Sequence, residues 1–89
     1  MLVLTRRIGE SVKIGSNIRI TVMVIYEKKI IVRVQKPKNT KLNLRLGRST
    51  PITDDIKITL TGIDKCQVKL GIESPAEMKI ERENYHNLA

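Results

Sequence analysis

The stretch "IRITVMVIYEKKIIVRVQ", residues Ile18 to Gln35, decides the fold class. Ile18, Ile20, Val22 and Val24 alternate with Arg19, Thr21 and Met23, and Ile30, Val32 and Val34 follow with Ile31 and Arg33 between them. Period-two alternation in β-branched residues is the pattern of strands with one buried face. Working outward, Ile56, Ile58 and Leu60 alternate with Lys57, Thr59 and Thr61, and Val68, Leu70 and Ile72 with Lys69 and Gly71. Turn residues punctuate these runs at Gly15–Asn17, Tyr26–Lys29, Pro37–Asn39, Thr50–Asp55 ("TPITDD") and Asp64–Cys66. Only the tail from Glu81, "ERENYHNLA", has helix-compatible composition, enough for about two turns. The pattern predicts an all-β protein with a short C-terminal helix.

The alternating segments repeat. Sliding the sequence by 38 positions aligns residues 2–38 with 40–76 without a gap, and ten pairs are identical. They include Leu4/Leu42, Arg7/Arg45, Gly9/Gly47, Ser11/Ser49, Thr21/Thr59 and Pro37/Pro75. Shared strand patterning accounts for apolar coincidences but not for Gly, Ser, Arg and Pro in one register, so a tandem duplication is inferred. Each copy is too small to bury its apolar face alone. The expectation is one domain over 1–89 built from two interleaved repeats: 1–38, lacking its own final strand and helix, and 39–89.

The chain has 89 residues, 40% of them hydrophobic, which supports a small core without disulfides. A lone cysteine, Cys66, fits a reducing, cytoplasmic setting. Arg6 interrupts the N-terminal apolar run, which argues against a signal peptide, and no apolar stretch approaches a membrane span. The formal charge is +8, of which residues 1–38 carry +7 and residues 39–89 only +1. A field of that sign favours polyanions, although a solubilising surface would look the same.

Enzyme chemistry finds little support. His86 has no patterned nucleophile, Asp54 and Asp55 suit a turn, and Gly9 and Gly47 lack the further glycines of a phosphate loop. No cofactor or metal is expected. Binding is better supported, but Tyr26 and Tyr85 are the only aromatics, so base stacking on a ring-lined sheet is excluded as the main device. Arginines, lysines and backbone groups must serve instead. Arg6 and Arg7 are adjacent on a strand, so they leave opposite faces. Arg45 repeats Arg7 but Leu44 replaces Arg6, which points to Arg6 as the functional member and leaves Arg7 open between a contact and a structural role beside Gly9.

"MLVLTRRIGESVKIGSNIRITV" resembles the opening of the carbon storage regulator (CsrA/RsmA) family of small RNA-binding translational regulators, and "IKITLTGIDKCQVKLGIESPAEMKIERENYHNL" resembles the remainder of a member. The resemblance implies a small intertwined antiparallel β-sandwich or barrel, like a dimer of the family held within one chain. It also implies a partner: single-stranded or hairpin-loop RNA with a GGA motif in a messenger leader, bound so as to block translation initiation or alter stability. Carried over by position, RNA contacts fall on Leu4, Thr5, Arg6 and Arg7 and on Pro75, Ala76, Met78, Ile80 and Arg82. Arg6 and Arg82 are both expected at accessible positions. Glu81 stands where a histidine is common and is expected to weaken phosphate attraction. Segment 40–46 must serve as last strand of the first copy, first strand of the second, or both; Leu42 and Arg45 would then mark a degenerate second site. The implied protein is a cytoplasmic monomeric pseudo-dimer with one competent site, no membrane association, and a decoy small RNA or protein antagonist as a regulator. A swapped homodimer, and a non-RNA adaptor or titrator of an ordinary family member, stay open as alternatives.

Overall fold

A computed structural model describes residues 1–83. They form β1 (Leu2–Arg7), β2 (Ser11–Ile14), β3 (Ile18–Ile25), β4 (Lys29–Gln35), β5 (Asn39–Arg45), β6 (Ser49–Thr53), β7 (Ile56–Ile63), β8 (Gln67–Glu73) and β9 (Ile80–Glu83). All strand pairs are antiparallel, in a four-stranded sheet of order β1-β8-β7-β6 and a five-stranded sheet of order β5-β4-β3-β2-β9. Each sheet therefore takes strands from both repeats: β1 joins β6–β8, and β5 joins β2–β4.

The alternation explains the layering. Val12, Ile20, Val22, Val32 and Val34 of one sheet and Ile58, Leu60, Val68 and Leu70 of the other are buried to within about 1% exposure. Fully burying such a side chain stabilises by roughly 1.5–3 kcal/mol. The two inner faces form a single apolar cluster, so neither repeat encloses a core of its own. Gly9 and Gly47 make the same turn in the two copies, at φ 88° and 82°. Their N–H groups donate to Val22 O and Leu60 O, while Glu10 N and Arg48 N reach back to Arg7 O and Arg45 O. A side chain is strained at that φ, which accounts for glycine at both positions.

Two expectations are corrected. "TPITDD" is not all turn: Thr50 to Thr53 belong to β6, and only Asp54 and Asp55 turn the chain. Pro51 is tolerated because β6 is an edge strand, whose outward N–H needs no partner. The tail from Glu81 is not helical at its start, since Glu81 to Glu83 extend β9 along β2. The rest of the helix expected there, residues 84–89, lies outside the described residues. Within the described residues no helix is long and apolar enough to cross a membrane.

Candidate nucleic-acid interface

Strand β1 presents its residues alternately. Leu4 and Arg6 point inward and are buried, while Thr5 and Arg7 are exposed. Arg6 is only 7% exposed, contrary to the expectation of an accessible cation. Its Nη1 donates to Glu83 O at 3.1 Å and to Ser11 O at 3.4 Å, and its Nε donates to Thr5 O at 2.7 Å. Glu10 Oε1 lies 3.9 Å from Nε and also accepts the Arg7 N–H at 2.8 Å. The guanidinium thus ties the edge of one sheet to β2 and β9 of the other. A buried cation persists when it is hydrogen-bonded and paired, and here backbone carbonyls accept its hydrogen bonds while the Glu10 carboxylate pairs its charge at 3.9 Å.

Strand β9 runs alongside. Ile80 pairs with Ile14 and Arg82 with Val12, so both share the inward side, yet Arg82 is exposed at the rim. Glu81 pairs with Lys13 on the opposite face and makes a 3.5 Å ion pair with Lys79. Its charge is therefore turned to the face opposite Arg82. Pro75, Ala76, Met78 and Ile80 line a groove of about 300 Å³ together with Met1 and Leu2. The corner thus runs from this groove at the start of β1 to the exposed cations Arg7 and Arg82 at its end. It is flanked by two outer strands, β1 of one sheet and β9 of the other, which have no further strand beside them among the described residues.

On the outer face beside this corner, Arg19 on β3 reaches across β2 to Glu83 on β9, with N···O distances of 2.6 and 3.2 Å. Hydrogen bonding to Glu83 raises the Arg19 pKa above its ordinary value. Beneath, Ser11 Oγ and Thr21 Oγ1 are 2.7 Å apart and both residues are completely buried. Sequence reasoning missed Glu10, Ser11 and Glu83 as supports of the corner. One signal was available: Arg6 has the parity of Leu4, hence the inward face.

The model of CsrA, the global regulator protein family, matches the chain twice, over residues 1–45 and 41–87. The chain belongs to the CsrA family. Over 42 residues it is 45% identical to the translational regulator CsrA of Thermotoga maritima and 43% identical to those of Thermotoga petrophila and Thermotoga sp. RQ2. Each match covers 47% of this chain and 51% of the relative, so the chain spans about half the length of the curated relatives it matches. No solved structure shows a significant match.

The two CsrA matches overlap on 41–45, inside β5. Strand β5 pairs with β4 as β1 pairs with β8, which makes it the first strand of the second CsrA copy. At this second corner Leu42 is half-buried and Arg45 exposed, but Leu44 is fully buried where the first copy has Arg6. Arg48 replaces Glu10, so the cation and its carboxylate are absent together. Among the described residues no strand lies beyond β6. On β2, Gly15 N donates to Lys79 O, so the alternate residues Ser11 and Lys13 also turn their N–H groups toward β9. Pro51 takes the place of Lys13 and has no N–H to offer. A register shift between Pro51 and Thr53 distorts the edge further. The hydroxyl pair recurs as Ser49 and Thr59 at 2.6 Å, but here it is exposed.

Proposed function

We propose that this CsrA-family chain is a non-enzymatic, cytoplasmic RNA-binding translational regulator with one GGA-reading site, at the β1/β9 corner. The observation that carries the reading is the asymmetry between corners: among the described residues one has an outer strand from each sheet, a groove and exposed cations, and the other has no strand beyond β6 and no N–H at Pro51. The relatives' designation as translational regulators gives the biological setting. Single-stranded loops splay their bases, so base edges can hydrogen-bond to outward-facing backbone groups of β1 and of β9 at Ile80 and Arg82. In this reading Thr5, Arg7, Pro75, Ala76, Met78, Ile80 and Arg82 touch RNA, with Arg7 and Arg82 on phosphates or guanine. Leu4 and Arg6 are positioning residues that hold β1 and β9 in place. Leu42 and Arg45 mark the remnant of the second site. The molecule acts as a monomeric pseudo-dimer of interleaved repeats, open to control by a decoy RNA or protein antagonist.

The test is fluorescence anisotropy on a hairpin with GGA in its loop and on the same hairpin with the triplet replaced, over a range of salt. The account expects preference for GGA and affinity that falls with salt as counterions are released. Arg82→Ala should lose about 1.5–3 kcal/mol of binding, roughly 10- to 150-fold, with an unchanged melting temperature. Absence of RNA binding at low salt would favour a protein adaptor or titrator instead.

A further inference from the structure

The outer face of β4 and β5 is set apart from the corner by its charge. From Lys28 to Arg48 the chain carries eight Lys and Arg and no Asp or Glu. The strand register places four of them on one sheet face, Lys29 directly opposite Arg45 and Arg33 directly opposite Lys41. Like charges in directly opposed cross-strand positions are destabilising. The β2 and β9 part of the same sheet is balanced by Glu81 and Glu83, but β4 and β5 contain no acid. The matching face of the other sheet, on β1 and β8, carries Arg7 and Lys69 against Glu73. Arg33 Nε and Gln35 Oε1, neighbours on this face, are buried with no hydrogen-bond partner. Glu27, in the turn before β4, is the nearest acid in sequence.

We propose that the outer face of β4 and β5 is a second docking surface, which holds the phosphate backbone of single-stranded RNA without reading its sequence. An anion laid along the strands would relieve both opposed like-charge pairs. RNA fits better than an acidic protein or a lipid surface because the stripe ends on an exposed ring, Tyr26, with the Lys29 Nζ 5.3 Å from its centroid. A basic track with an aromatic platform is the arrangement that binds single strands irrespective of sequence. The face would extend the footprint of a bound transcript beyond the triplet.

The experiment uses oligouridine, which contains no guanine, so the outcome is independent of whether the corner reads GGA. Anisotropy over a salt series is measured for the parent chain and for Lys41→Glu/Arg45→Glu, both exposed positions, with circular dichroism melts to verify folding. The parent should bind, and the slope of log affinity against log salt should fall by about 1.4 in the variant, at about 0.7 per lost phosphate contact. Lys41→Gln/Arg45→Gln serves as the second variant if charge reversal unfolds the protein. An unchanged slope, or tighter binding of the parent to phosphatidylglycerol vesicles or polyglutamate than to oligouridine, would overturn the proposal.

Discussion

Arg6 and Leu44 occupy the same place in two copies of one unit, and the difference between them follows the fifth strand. Where β9 is present, a guanidinium reaches its Glu83 carbonyl; beside β6, which has no strand beyond it among the described residues, leucine closes the core. Arg6→Ala should therefore destabilise the fold by about 1.5–3 kcal/mol in urea titrations, because it strands buried carbonyls that a charged donor now satisfies. Leu44→Arg should cost more, about 3–5 kcal/mol, since it buries a cation without partners. An unchanged urea midpoint for Arg6→Ala would show that the corner does not depend on this contact. The hydroxyl pairs offer a matched comparison. Ser11→Ala should cost about 1–3 kcal/mol by leaving the buried Thr21 hydroxyl unpaired, whereas Ser49→Ala, on an exposed pair, should lie within about 0.5 kcal/mol of the parent.

At the scale of elements, the central strands were legible because their alternation is strong. Ile20 on β3 and Ile58 on β7 are equivalent, and both are buried. Ile20→Ala and Ile58→Ala should each cost about 2–5 kcal/mol in thermal or urea unfolding. Edge strands were harder to read. Strand β6 contains Pro51, which local propensity assigns to a turn, and its place at the edge of the sheet among the described residues makes a strand admissible there. Strand β9 is four residues of mixed charge, "IERE", held by pairing with β2 and by two arginines from elsewhere in the chain. Its local composition favours helix, and long-range contacts override it. Pro51→Lys, restoring the residue of the first copy, should leave the fold intact and open the β6 edge to strand addition. Sedimentation velocity should then show concentration-dependent association that the parent lacks; equal behaviour of the two would mean that Pro51 does not guard the edge.

At the scale of the whole molecule, the repeat announced two copies, and the topology shows how they share a core: each lends its first strand to the other's sheet. Sequence could name the positions of the proposed site but not the faces their side chains take. Arg82 is exposed as expected, while Arg6 is inward and the Glu81 charge faces away, because which face a residue takes depends on parity and pairing rather than on charge. Among the described residues one corner has a strand from each sheet and the other has no strand beyond β6, and the central claim is that this yields one GGA-reading site per chain. The most direct measurement is native mass spectrometry of the protein titrated with a GGA hairpin at low micromolar concentration. The account predicts a free species at the 10.1 kDa chain mass and saturation at one hairpin per chain. Two equivalent hairpins per chain, or a dimer as the unit that binds, would contradict it.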